Sequence, residues 1–209
     1  MVKDSETLAA SVSAAAVAVC GLLVLLAYDF GPQSTHMALH IALMSLLAPV
    51  AATATADRLP RWLCSSSALW FSAAAQLLLL WAWHVPAIQR FASVSHGLHV
   101  AALASLLVFS YIFWGAVIRA QQETRLHAIA ALLLTGKLTC LLSALLIFSP
   151  RALYAAGNHA GSHLDDQQLA GLLMITACPL SYLIAAVVIV ARLVNGPARA
   201  LRPDTSSTG

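Results

Sequence analysis

The chain has 209 residues, of which 60% are hydrophobic and only 9% charged, with a formal charge of +3 and a mean hydropathy of +0.83. A soluble domain of this size cannot hide so much apolar side chain, so the composition excludes a cytosolic globular fold and predicts an all-α polytopic membrane bundle. The modest positive charge reports topology and attraction to anionic membrane lipid, and implies no nucleic-acid partner.

Six stretches are long enough to cross a hydrocarbon core about 30 Å thick at roughly 1.5 Å per residue. The first, Leu8–Tyr28, follows Lys3 as a signal peptide would. It outlasts the roughly 7 to 15 residues of a signal core and lacks a small-x-small cleavage site before Asp29, so it reads as a membrane helix. Its small residues, Ala9, Ala10, Ser11, Ser13, Ala14, Ala15 and Ala16, permit close packing of the kind a homo-oligomer uses. The second span is Met37–Ala56. The third, Ser66–Trp83, is the shortest and ends in WAWHVP, where Trp81 and Trp83 read as interfacial anchors and Pro86 stops the helix. The fourth, Gly97–Ile118, opens after HGLH, and the fifth is His127–Phe148. The sixth, Leu169–Val194, follows a polar loop, NHAGSHLDDQQ. Pro49 and Pro179 are expected to kink the second and sixth spans. Residues 1–195 form one transmembrane domain, and the polar residues 196–209 read as a disordered cytoplasmic tail.

Lys3, Arg58, Arg61, Arg119, Arg125, Arg192, Arg199 and Arg202 fall on one side of this arrangement, against only Arg90 and Arg151 on the other. The positive-inside rule then makes both termini cytoplasmic. The opposite face collects His36, His84, His96, His99, His159 and His163, with His40 one turn into the membrane, while His127 alone starts at the cytoplasmic face. Asp29, Asp165 and Asp166 join the histidine face.

The second span carries the sharpest local signal. In HMALHIALM, His36 and His40 are spaced i, i+4 and Met44 is four further on, which draws a stripe along one helical face, with Met37 at its border. Imidazole with thioether suits copper, particularly Cu(I), better than hard cations. The same methionines would also serve as packing residues and His36 as a solvated interfacial residue, although an imidazole at membrane depth is expensive and tends to be functional. His96 and His99, at i, i+3, form an incomplete set that a second helix must close; His84 beside the tryptophans is either a further ligand or structural. Asp165 and Asp166 could cap a helix or orient an imidazole, and spacing does not choose. Lys137, mid-way through the fifth span, is a functional candidate whose charge snorkelling, a carbonyl or Gln76 could satisfy. Cys20, Cys64, Cys140 and Cys178 stand in separate segments without CxxC spacing, so no disulfide frame or thiolate site follows.

The blocks HMALHIALMSLLAP, WAWHVPAI, HVAALASLLVFSYIFW, FSPRALY and DQQLAGLLM come in the order and spacing of the CtaG family of cytochrome c oxidase assembly factors, which the chain resembles from about His36 to Val194. The resemblance implies a bacterial inner-membrane protein that matures a haem-copper oxidase by handling copper. Its client would be an oxidase subunit, and a periplasmic copper donor would supply it. It carries over His36, His40, His84, His99 and Asp166, with Gln167 beside it. Leu39 stands where the family commonly has Gln, and Leu103 where it repeats a helix-four histidine, a place His96 could fill instead. The expected roles are His36, His40 and His99 as ligands, His84 or His96 completing the set, Met37 or Met44 as soft auxiliary contacts, and Asp166 as an acceptor behind an imidazole. Such a protein is a metal-binding chaperone rather than an enzyme. Two other readings stay open: a b-type cytochrome with haem between histidines such as His40 and His99, and a small ion or proton transporter built on Lys137 and Gln76.

Overall fold

Helix start signals and proline stops divide the apolar chain much as the sequence predicts. The computed structural model describes residues 31–154 and 160–200, apart from the side chains of 93, 160–162 and 195–200. The expected first span, Leu8–Tyr28, with Cys20, Asp29, His159 and the end of the tail from 201, lies outside the described residues. The described chain is helical throughout its regular structure: α1 (Pro32–Ile41), a π-helical segment (Ala42–Leu47), α2 (Ala48–Ala54), α3 (Ser66–Trp83), α4 (Pro86–Val94), α5 (His96–Ile118), α6 (Arg125–Phe148) and α7 (Ala160–Ala200). Among the described residues five stretches are long and apolar enough to cross a membrane: Pro32–Ala54, Ser66–Trp83, His96–Ile118, Gln122–Phe148 and His163–Val194. The protein is an all-α membrane bundle.

Several boundaries follow from caps. Ser65 accepts the Ala68 amide and opens α3, and Ser95 does the same for the Leu98 amide at the start of α5. His96 is therefore the first helical residue of α5. Pro32 and Pro86 occupy the first helical positions of α1 and α4, where a missing N–H costs nothing. Pro86 thus ends one helix and begins another: residues 86–94, expected as loop, form the short helix α4. The sixth span also starts earlier than its apolar run, since α7 begins at Ala160 and draws the mostly polar residues 163–168 onto the helix. At its other end α7 continues to Ala200, past the expected tail boundary at 196. It also runs through Pro179.

Pro49 acts upstream of itself. The Ala48 amide donates to the Leu43 carbonyl, an i−5 bond that belongs to the π segment. Continuing that register would ask residue 49 to donate to the Met44 carbonyl, and proline has no N–H. The Trp114 indole supplies the missing donor, with Nε1 3.0 Å from the Met44 oxygen. The expected kink is thereby a widened turn tied to α5.

The bundle core lies where α3, α5 and α7 meet. Trp114 stacks on Tyr182 with centroids 5.6 Å apart, and Phe113 meets both rings edge-on at 6.1 Å. Gln76 is fully buried and donates its amide to the Tyr182 hydroxyl at 2.6 Å. Its carbonyl oxygen is buried without a partner among the described residues and does not accept from Lys137. Helices α6 and α7 pack closely at Gly171, where an added Cβ would stand 2.7 Å from Ile147 Cγ1 and 3.1 Å from the Ser143 carbonyl. Gly171→Val is therefore expected to separate the pair and lower the melting temperature in detergent by several degrees. Gly97→Ala, where a Cβ meets nothing within 4 Å, should be neutral or stabilising by up to about 1 kcal/mol. Equal melting temperatures for the two variants would refute the close-packing argument.

Candidate metal centre

Four imidazoles from three helices gather at one end of the bundle. His36 and His40 are one turn apart on α1, with ring centroids 4.2 Å apart. His99, one turn into α5, brings its ring to 5.2 Å from His36, and His84, capping the end of α3, comes to 5.5 Å from His40. The cluster is graded in depth. His36 and His99 are half-buried beside a cavity of about 470 Å³, which Gln33, Trp83, Gln89 and the exposed His96 also line. Behind them, His40 and His84 are each 3% exposed and Met37 is fully buried.

The hydrogen bonding of the deeper residues leaves donor atoms unspent. His84 Nδ1 is 2.6 Å from the Leu80 carbonyl, which can only accept, so Nδ1 carries the proton and Nε2 presents a lone pair. Burial, opposed by that hydrogen bond, holds the His84 imidazole down at about pKa 4, so it is neutral at pH 7. Its Nε2 faces Met37 Sδ at 3.4 Å. Two electron-pair donors, one imidazole and one thioether, thus look at each other with no hydrogen between them. Neither ring nitrogen of His40 has a hydrogen-bond partner among the described residues, and Gln33 Nε2 and Gln89 Oε1 beside the cavity are likewise unpartnered. Buried polar atoms left this way are uncommon and call for an absent ligand or water. The donor set fits a soft cation, although among the described residues no three His, Cys, Asp or Glu side chains already converge on one point. Binding would need the rings to turn.

A family model for the cytochrome c oxidase caa3 assembly factor matches residues 3–195, nearly the whole chain. The chain belongs to this family. No curated protein and no solved structure matches it. Within this assembly factor, the histidines that the resemblance carries over, His36, His40, His84 and His99, are the four that the fold brings together. His96 stands on the exposed rim of the cavity and shares no ring contact with them. Met37 is the methionine that reaches an imidazole. Met44, expected on the same stripe as His36 and His40, is buried in the apolar core, since the helix changes register at Ala42.

Asp166 acts on the helix that carries the histidines, not on a ring. The residue in the capping position before α1 is Gly31, which has no side chain to cap the helix. The Asp166 carboxylate, from α7, accepts the Gln33 amide at 2.8 Å and the Ser34 amide at 2.9 Å, and also the Ser34 hydroxyl. A negative group on these orphan amides satisfies them and complements the helix dipole. Gly31 is required twice over: its φ is +102°, and a Cβ would lie 2.6 Å from the Asp166 carboxyl carbon. Gln167, which is buried, clamps α7 to α6 and the segment after it by donating to the Leu146 carbonyl at 3.1 Å and accepting the Leu153 amide at 2.7 Å. Neither residue touches an imidazole. Lys137 is exposed on the outside of α6, far from the cluster along the helix.

Sequence reasoning missed three contributors. Gln89 reaches the cavity from α4, whose start was signalled by Pro86 but whose nine residues are too few for an apolar span. Gln33 precedes the histidine stripe. Tyr154 donates its hydroxyl to the His84 carbonyl at 2.8 Å and so pins the turn that holds the ring; nothing in the local pattern marks it.

Proposed function

We propose that this caa3 assembly factor binds copper as cargo at the histidine cluster and passes it to a subunit of a haem-copper oxidase. The observation that carries the reading is the buried His40, with neither nitrogen partnered among the described residues, next to the facing His84 Nε2 and Met37 Sδ. Imidazole and thioether together favour Cu(I) over hard or purely nitrogen-seeking ions. The gradation of exposure suits transfer: His96, His99 and His36 line the mouth, where ligands exchange with a donor or an acceptor, while His40, His84 and Met37 retain the ion in a dry setting. The neutral state of His84 means that loading need not displace a proton from it at pH 7.

Orientation supports the same use. Arg58, Arg61, Arg119, Arg125 and Arg192 lie toward the end of the bundle opposite the cluster, so the positive-inside rule turns the histidines to the extracytoplasmic side of a bacterial inner membrane. Copper centres of an oxidase that face that side would be the acceptors.

The test is metal analysis of detergent-purified protein reconstituted with Cu(I), wild type against His36→Ala/His40→Ala, with an absorption spectrum of each sample. Stoichiometric copper in the wild type, its loss in the double variant and the absence of a Soret band are expected. Equal copper in both proteins would end the proposal.

A further inference from the structure

Lys137 occupies a position that the isolated chain does not explain. It lies about 17 to 18 Å along the axis from either end of α6 at roughly 1.5 Å per residue, and its side chain is exposed on the outer surface of the bundle. The interface with lipid headgroups is beyond the reach of its four-carbon stem. Among the described residues Lys137 has no hydrogen-bond or ion-pair partner. The hydroxyls that line the same groove are spent elsewhere: Thr176 donates back to the Leu172 carbonyl at 2.8 Å, and Tyr182 is turned inward to Gln76. A lone ammonium facing hydrocarbon at mid-depth is expensive, and such charges pair with something.

The surroundings are shaped for an approaching helix. Lys137 lines a groove of about 340 Å³ between α6 and α7, whose floor includes the small or kinking residues Gly136, Cys140, Thr176 and Pro179. Small residues in such a groove let a second backbone come close. The exposed Leu133, Leu141, Leu180 and Leu183 flank it with apolar surface.

We propose that this face docks a transmembrane helix of another membrane protein, one that carries an Asp or Glu at mid-depth to meet Lys137. Charge complementarity selects this occupant. Lipid offers its anions only at the headgroup level. Among the described residues the acids Asp57, Glu123, Asp165 and Asp166 lie near span ends or outside spans, and the apolar stretch Leu8–Tyr28 contains none in its sequence. The described spans of a second copy therefore bring no carboxylate to that depth, the stretch Leu8–Tyr28 has none to bring, and a symmetric pairing through this face would set two ammoniums together. The proposal does not depend on the metal reading.

The experiment places a photo-crosslinking residue at Leu133 or Leu180 in the full chain, in cells that make a haem-copper oxidase, and identifies the adducts. An adduct with a different polytopic protein is expected, with a carboxylate in one of that protein's spans. It should fall severalfold with Lys137→Met and with Lys137→Gln at equal chain abundance, and persist with Lys137→Arg. It should disappear with Lys137→Glu and return when the other protein's carboxylate is changed to Lys. His36→Ala/His40→Ala should leave it unchanged, which separates this result from any failure of copper binding. An adduct indifferent to Lys137→Met, one at the mass of two copies of this chain, one confined within a single chain, or lipid adducts alone would each overturn the proposal.

Discussion

Replacing His40 with Leu is expected to make the metal-free protein more stable while abolishing its retention of copper. The two effects share one cause. His40 is buried, and both ring nitrogens lack partners among the described residues, so the metal-free fold carries two desolvated polar atoms with nothing in return. Each such atom costs about 1 to 3 kcal/mol, and an apolar side chain of similar reach removes the cost. The gain should appear as a rise of several degrees in the melting temperature of the metal-free protein in detergent. Copper retention measured on the same preparations should fall well below that of the wild type. A structural histidine predicts the opposite, with a lower melting temperature and copper content changed only as far as folding is. Stability lost together with copper would therefore assign His40 to the core and not to the cargo site.

Much of this was legible in the sequence, and the parts that were not have identifiable physical reasons. Ser66–Trp83 is found at the predicted bounds because a serine cap opens it and His84 with Pro86 closes it. His96–Ile118 differs from the predicted start by one residue, the one that the Ser95 cap adds. The start of α7 was hidden because residues 163–168 are mostly polar and read as loop; their polarity serves the contacts of Asp166 with α1 and of Gln167 with α6 and the segment after it. Met44 was placed beside His40 by a spacing that assumes an unbroken α-helix, and the π segment invalidates that assumption. The i, i+4 pair His36 and His40 lies upstream of the register change and keeps its geometry. Which helices adjoin one another was not readable at all, since α5 and α6 are apolar on nearly every face and carry no periodic signal to say which side meets a neighbour. The approach of His84 and His99 to α1 is a tertiary fact that only the family resemblance anticipated.

The contact between Asp166 and α1 yields the second large effect, because it holds the histidine helix without touching a histidine. Asp166→Ala leaves the Gln33 and Ser34 amides without their acceptor in a partly buried setting, while the Ser34 hydroxyl keeps only the backbone carbonyl of residue 166. Hydrogen bonds to a charged group contribute about 1.5 to 3 kcal/mol each, so a loss of roughly 3 kcal/mol or more is expected. Asp166→Asn keeps one oxygen and should lose less. His36 is only one turn beyond the capped amides, so freeing the helix end should also weaken copper binding, as removal of groups supporting metal ligands does by roughly 10- to 100-fold. Gly31→Ala attacks the same contact from the other side, since its Cβ would occupy the space of the carboxylate. The two substitutions should therefore be strongly non-additive: once Asp166 is Ala, Gly31→Ala retains only its backbone strain. A double-variant cycle read by melting temperature and by copper affinity tests this. Additive losses would mean that the carboxylate and the glycine act separately, and that the cap does not position the histidines. The expected coupling would instead make α7 a support for the ligand helix, and would explain how an acidic residue more than a hundred positions from His36 in sequence governs a site it never contacts.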